Sequence, residues 1–379
     1  LSEGNIIAIK NTSGYLLCCN AENPKIVQKL RDKKHRPNKP FAVLYPSLEM
    51  LQKEVILNEK QLKSLTSAEL PINIVSLKNY NGKLALKEVA PGLNQLGIML
   101  PYTGALQLLA NKLSFPIVAT SGNIHGSPIV STNKDALKKL ENIADYFLQH
   151  NLKIEHPQDD SVVKFSTKFQ QQVLFRRSRG YAPNYLETSI NSEEKILAMG
   201  AHLKSTIAFY PNSNLYVSQY LGNLDNFDVY NRFTEVTENF IQLFEQQPEI
   251  ILVDKHPTYQ STQFGKELAK KTTSKLIEIQ HHKAHFTAVL GEHNLFDKKV
   301  LGVVFDGTGF GDDSNIWGGE FFSYQNNKIA RIGQVENFDW LLGDKMSKEP
   351  RLSLFSLASE EMNKILEQKF TSNELKNYK

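Results

Sequence analysis

The chain of 379 residues has only two cysteines, Cys18 and Cys19. They are adjacent in one strand-like run, so they support neither a disulfide framework nor a Cys-x-x-Cys metal knuckle, and core packing is the role left to them. No apolar run approaches ~20 residues, which excludes a membrane-spanning helix by length. The start, Leu1-Ser2-Glu3-Gly4, has neither the basic nor the apolar stretch of a secretion signal, so the expected compartment is the cytoplasm. Charge of one sign is scarce as well. The balance of 44 Lys and Arg against 40 Asp and Glu leaves +4, too mild to argue for a nucleic-acid partner, because such binders concentrate far more positive charge on one face. What is present, 41% hydrophobic and 22% charged residues, is the make-up of a globular chain long enough for two or more cored domains.

Short apolar strands alternate with longer polar-faced helices throughout, the pattern of an α/β protein. A first block spans residues 1–188. Its expected strands are 5–9, 15–19, 41–45, 72–77, 116–119, 161–165 and 173–175, and its helices 23–34, 103–113 and 133–142, with Asn133 as N-cap of the last. Residues 181–195, with Pro183 and then Asn191-Ser192-Glu193-Glu194, lose apolar periodicity and read as a linker. The second block, 195–379, opens with strands 196–199, 206–210 and 215–218, then helix 229–245, strand 250–253, helix 260–271 and strand 275–279. Three strands, helix, strand, helix, strand is the order of a ribonuclease H-like lobe. After a helix that carries His281 and His285, three strands restart at 300–305, 316–324 and 329–335, with Gln325-Asn326-Asn327 as a turn. Glycine turns are expected at 200–205 and 307–311, between the first two strands of each lobe. The second lobe is expected to break off before its helices and later strands, so the chain reads as a fragment.

Four places carry chemistry. His281 and His285 at i and i+4 share one helical face, close enough for both imidazoles to reach one ion. Asp306 follows the buried pattern 300–305 and opens the turn from Gly307, a way to bring a carboxylate to a metal or a phosphate. In the first block, Lys33-Lys34-His35-Arg36-Pro37-Asn38-Lys39-Pro40 is a basic turn stiffened by two prolines, which could hold ammonium and guanidinium groups against a triphosphate. Thr120-Ser121-Gly122-Asn123 places hydroxyl and amide donors at the carboxyl end of a strand, where α/β sheets bind ligands. Arg176, Arg177 and Arg179 close the block without an acid among them. The plain alternatives are a solvated helix end, an ordinary turn and a surface patch.

Lys34-His35-Arg36 and Ser121-Gly122-Asn123 resemble the K-x-R and S-x-N motifs of the YrdC-like domain. His281, His285 and Asp306-Gly307-Thr308-Gly309 resemble the TsaD-like transferase domain. The two in this order, with Asp159 to Val163, Ser218-Gln219, Asp254 to Pro257 and Ile316 to Glu320, resemble the HypF family, the carbamoyltransferases of [NiFe]-hydrogenase maturation. The resemblance implies a YrdC-like α/β domain followed by an incomplete actin-like, ribonuclease H-like two-lobe domain. It implies that carbamoyl phosphate and ATP, with Mg²⁺, form carbamoyl-adenylate, and that the carbamoyl group passes to the C-terminal cysteine of a HypE-type partner. By motif, Lys34, Arg36, Ser121 and Asn123 would bind ATP and the acyl group, and His281 and His285 would hold Fe²⁺ or Zn²⁺ with Asp306. Charge and position add Lys39, Thr120, Arg177 and Arg179 as phosphate contacts, with Lys204, Thr206 and Gly307 in the second block.

The chain departs from the family pattern at Lys283, which replaces the middle histidine of HHHAH, and at Tyr220 and Asn223, which replace the histidine and aspartate of SQHxGD. The acylphosphatase-like and zinc-module domains that precede the YrdC-like domain in the family are absent from this sequence. The alternative readings are a threonylcarbamoyl-adenylate synthase fused to its tRNA transferase, and a nucleotide-binding remnant without activity.

Overall fold

A computed structural model describes residues 1–124, 126–188, 190–343 and 345–378; Ser189, in the expected linker, lies outside the described residues. The chain folds as two compact units, Leu1–Val253 with Thr258–Ile277, and Asp254–Pro257 with Glu278–Lys379. No helix among the described residues is long and apolar enough to cross a membrane.

The first block forms a nine-stranded mixed sheet. Its strand order is Tyr146–Leu148, Ile7–Lys10, Tyr15–Asn20, Ile117–Ser121, Ala42–Leu44, Gln95–Met99, Ile72–Ser76, Val162–Phe165 and Gln172–Arg176. Because successive strand residues point to opposite faces, Tyr15, Leu17 and Cys19 enter one core and Leu16 and Cys18 the other, which is why an unbroken apolar run is needed here. Both cysteines are free and fully buried, as core packing requires.

The helix Pro24–Lys33 starts where the Asn23 side chain accepts the N–H groups of Lys25 and Ile26, with proline at its first position. The cap of the helix Asn133–Leu140 is Thr132, not Asn133. Asn133 Oδ1 instead accepts the hydroxyl of Tyr15 at 2.8 Å, so its side chain is turned to the sheet. Helices Leu48–Glu54, Glu59–Leu65 and Leu86–Val89 are additions to the expected set: at seven residues or fewer they hold too little periodicity to read. Strand Gln95–Met99 is a further addition, since Gly97 breaks its apolar run; a Cβ there would lie 2.9 Å from Ile72 of the next strand.

The second block forms a six-stranded sheet in the order Tyr185–Leu186, Leu215–Val217, Ala208–Tyr210, Ile196–Ala198, Ile250–Asp254 and Lys275–Ile279. The stretch with the look of a linker thus supplies an edge strand. Helices Phe227–Phe244 and Gln260–Thr272 accompany the sheet, and Phe233, Phe240 and Leu268 join Leu197, Phe209 and Ile251 in its core.

In the second unit the helix His281–Glu292 packs its Phe286 and Leu290 on a three-stranded antiparallel sheet, Val300–Phe310, Ile316–Gln325 and Lys328–Gln334. The turn expected at Gln325-Asn326-Asn327 is a hairpin turn of two residues, Asn326 and Asn327, both at positive φ, with Gln325 ending the strand. The turn expected at 307–311 is corrected. The strand runs on to Phe310 with a register shift between Phe305 and Gly309, and the chain reverses only after Gly311. Gly309 serves close approach rather than turning, because a Cβ on it would lie 2.2 Å from the His282 ring. The expectation that no helix would follow this sheet is corrected, while no later strand follows it among the described residues. Beyond this sheet, helices Lys345–Lys348, Arg351–Leu357, Asn363–Lys369 and Ser372–Tyr378 cluster around Met346, Leu352, Leu366 and Phe370.

One buried ion pair holds the end of the first block. The Arg179 Nε–H donates to Asp160 Oδ1 at 2.6 Å, its other nitrogens donate to the carbonyls of Glu69 and Leu70, and the guanidinium lies 3.5 Å from the Tyr102 ring centroid. Both charged side chains are at most 10% exposed. Arg179→Ala would leave Asp160 buried without its counter-charge and should cost about 3–5 kcal/mol. Urea unfolding of the two proteins measures this; a difference under about 1 kcal/mol would mean that water replaces the guanidinium.

Candidate functional site

The helix Pro24–Lys33 ends at Lys34, and His35 at φ +49° turns the chain away. Lys34 is buried at 6% exposure. Its ammonium donates to the carbonyls of Ser121 (2.8 Å) and Asn123 (2.9 Å) and to Asn123 Oδ1 (3.2 Å). Asn123 is fixed in turn, accepting from the Ser121 hydroxyl at 3.2 Å and donating to the Ser127 carbonyl at 2.8 Å. Gly122 must be glycine, because a Cβ would fall 2.8 Å from the Tyr15 carbonyl oxygen. The two motifs therefore form one constellation, with Thr120 buried in the strand that leads into it.

Arg36 lies over the Phe41 ring at 5.2 Å and donates to the Pro40 carbonyl at 2.7 Å. The turn it sits in is moulded by Arg31, whose buried guanidinium donates to the carbonyls of Pro37, Lys39, Glu88 and Val89. The cations share one field. Burial, then Arg36, pushes the Lys34 ammonium down to about 7 against the pull of Asp159, with Lys39 adding. Burial, then Arg31 and Arg176, pushes Arg36 down to about 10, again opposed by Asp159. Lys39 is lowered by desolvation, Arg36 and Arg176. A cluster whose members depress one another is stabilised by an incoming polyanion.

Arg177 and Arg179 are not gathered with this cluster. Arg179 is committed to Asp160, and Arg177 donates to the carbonyls of Asn184 and Val217. The arginine that shares the field is Arg176, and Asp159 is the acid within it; the sequence does not mark either as a binding residue, because charge order along a strand does not say which side chain turns where. Tyr220 joins them: its N–H donates to the Arg177 carbonyl at 2.7 Å, and burial raises its phenol, with Arg176 and Asp159 acting in opposite senses. Lys204 and Thr206 are not brought into the Lys34 constellation. They sit on the loop after Ile196–Ala198, where the Lys204 N–H donates to Asn223 Oδ1 at 3.0 Å. Beside them His202, which sequence reasoning also misses, meets Asp225 Oδ1 at 2.7 Å and stacks on Tyr259 at 5.2 Å.

In the second unit the structure brings His281, His285 and Asp306 together, with one ligand atom of each within 4.8 Å of the others. The helix cap is Gln280, whose side chain accepts the Lys283 N–H, so the pair lies in the first and second turns. The two Nε2 atoms are 3.2 Å apart, and Asp306 Oδ2 is 3.2 Å from His281 Nε2. Metal–ligand bonds of about 2.0–2.2 Å place tetrahedral ligand atoms roughly 3.4 Å apart, so the set fits a small divalent ion. The buried Asp306 Oδ2 faces His281 Nε2 as an ion pair but makes no hydrogen bond of good geometry, so an ion placed between them would satisfy it. Asp254 Oδ2 accepts the His281 Nδ1–H at 2.6 Å, which leaves Nε2 to face the ion. The Gly307 N–H, expected for phosphate, already donates to Asp306 Oδ1 at 2.7 Å.

The Sua5/YciO/YrdC family, described as "Telomere recombination", matches residues 1–178. The HypF Kae1-like domain matches residues 191–292, and the second subdomain of the carbamoyltransferase Kae1-like domain matches residues 302–378. Fold and matches define a protein in which a YrdC-like α/β domain precedes Kae1-like domains, in line with the order of motifs along the sequence. Carbamoyltransferase HypF of Synechocystis sp. is 41% identical over 92% of this chain and 45% of that protein. Probable carbamoyltransferase HypF of Methanocaldococcus jannaschii is 36% identical over 94% of this chain and 46% of its own length. A crystal structure of full-length HypF in a phosphate- and nucleotide-bound form superposes with a TM-score of 0.84 at 36% identity, covering 97% of this chain and 59% of that one. The chain belongs to the HypF carbamoyltransferase family. It spans about half the length of the curated relatives it matches.

Without metal, Asp254 first and then Asp306 hold the His281 imidazolium up at about 9, and His281 holds Asp306 down at about 2. His281 is raised above its ordinary 6.5, so its contribution to stability is present below pH 6.5 and lost as pH rises through about 9. Asp306 is lowered from 3.8, so its contribution is present above that value and lost as pH falls through about 2. The thermal midpoint of the metal-free protein should therefore fall between about pH 6.5 and 9 more than that of His281→Ala. A ligating imidazole cannot keep both protons, so binding Zn²⁺ at pH 7 should release about one proton per ion. Calorimetry in buffers of different ionisation enthalpy counts it; no release would place the ion elsewhere.

Proposed function

We propose that residues 1–188 activate a carbamoyl group and residues 195–379 belong to the domain that transfers it. Carbamate, formed when water hydrolyses carbamoyl phosphate and releases inorganic phosphate, attacks the α-phosphorus of ATP, giving carbamoyl-adenylate and releasing pyrophosphate, with Mg²⁺ on the leaving phosphates. Arg36, Lys39 and Arg176 supply fixed positive charge where negative charge grows in the transition state. Ser121 and Asn123, held by Lys34, orient the acyl group, with Thr120 behind them. Arg177 and Arg179 then act by shaping the strand end that carries Arg176. Lys204 and Thr206 remain the candidates for phosphate contact in the first lobe of the transferase domain.

An Fe²⁺ or Zn²⁺ ion held by His281, His285 and Asp306 would supply Lewis-acid polarisation of a bound oxygen. The acceptor is the C-terminal cysteine thiolate of a HypE-type protein, and the setting is the cytoplasm, without membrane or nucleic acid as partner. The observation that carries this reading is the bonding of Lys34 to both ends of the Ser121–Asn123 turn, which joins the two motifs of the activating domain. A HypF relative described as phosphate- and nucleotide-bound supports the choice of ligands.

Exchange of labelled pyrophosphate into ATP tests the reading. The chain should catalyse exchange that depends on carbamoyl phosphate and is not sustained by bicarbonate plus threonine. Arg36→Ala should lose about 2–3 kcal/mol in kcat/KM. Threonine-dependent exchange would assign the chain to threonylcarbamoyl-adenylate chemistry, and wild-type exchange by Arg36→Ala would remove that residue from the site.

A further inference from the structure

The metal-ligand set and the carboxylate that orients it are carried by three pieces of backbone: Asp254, which holds the His281 ring, at the end of one strand, His281 and His285 on a helix, and Asp306 on a second strand. A carboxylate that ligates nothing ties all three. Asp312, on the turn after Phe310, meets Lys255 Nζ at 2.6 Å and Lys283 Nζ at 3.1 Å. Lys255 adjoins Asp254, which holds the His281 ring. Lys283 lies two residues from each histidine, and at about 100° per residue its side chain leaves the helix roughly opposite the face that His281 and His285 share. The tie therefore grips the first helical turn from behind. Lys283 stands where the family resemblance places a histidine, so this grip belongs to the lysine found in this chain.

We propose that Asp312 is a positioning residue for the metal-ligand set, fixing the roll of the helix His281–Glu292 against the strand of Asp306 through its paired lysines. The inference rests on the metal reading given above. Rotation of that first turn moves both Nε2 atoms relative to Asp306 without removing a ligand, so releasing the tie weakens the ion and leaves its stoichiometry unchanged. The three side chains are 35–38% exposed, so the tie is screened by salt, unlike the buried Asp254–His281 bond.

Calorimetric titration with Zn²⁺ alone, on the full chain, tests this with wild type, Asp312→Asn, Asp312→Glu and the double variant His281→Ala/His285→Ala. Asp312→Asn should bind one ion about three- to tenfold more weakly, with a metal-free thermal midpoint close to wild type, and Asp312→Glu should recover most of the affinity. Raising NaCl from about 0.05 to 0.5 M should weaken wild type more than Asp312→Asn, since only wild type has the tie to lose. Equal affinity and equal salt dependence in wild type and Asp312→Asn would overturn the inference alone. No binding by wild type, or equal binding by the double histidine variant, would overturn the metal reading and this inference with it.

Discussion

A lysine ammonium taken out of water needs three acceptors, and Lys34 finds all of them in one turn 87 residues further along the chain. That requirement organises the first domain. The helix Pro24–Lys33 must end against the strand Ile117–Ser121, the turn after that strand must present two carbonyls and an amide oxygen inward, and Gly122 must leave space for Tyr15. With its donors spent on the turn, Lys34 shapes the site, while Arg36, Lys39 and Arg176 carry the charge that a polyanion would meet. Mutual depression of these cations is an electrostatic cost that a bound triphosphate would relieve.

The second domain uses the same economy of fixed partners with the sign of charge reversed. Asp254 and Asp306 converge on His281 from either side of its ring, one through Nδ1 and one facing Nε2. In the absence of an ion the imidazolium takes its place between two carboxylates. An ion would displace that proton and join His285 to the set, so metal and proton compete for one position.

Much of this is legible in the sequence, because local chemistry sets it. The i, i+4 spacing of His281 and His285 needs only a helix to bring two rings together, and the central strand runs of the first block, such as Tyr15–Asn20 and Ile117–Ser121, are apolar because both faces are buried. The illegible part depends on direction across strands and loops. The glycines after Asp306 have the look of a turn, yet Gly307 and Gly309 continue the strand, and Gly309 is the one needed as glycine, under His282. Arg177 and Arg179 look equivalent to Arg176, but one buried carboxylate and a few main-chain carbonyls draw them elsewhere. Thr132 and Asn133 are both good cap residues, and the Tyr15 hydroxyl, 118 residues away, together with the His150 carbonyl, decides between them.

If the bonds of Lys34 build the nucleotide site, removing its ammonium should dismantle that site while leaving the sheet intact. The most direct measurement is equilibrium binding of ATP to wild type and Lys34→Met, with circular dichroism as the check on folding. ATP affinity should fall at least about tenfold in a protein that keeps wild-type secondary structure. Equal ATP affinity in the two proteins would contradict the role given to Lys34 and separate the Ser121–Asn123 turn from nucleotide binding.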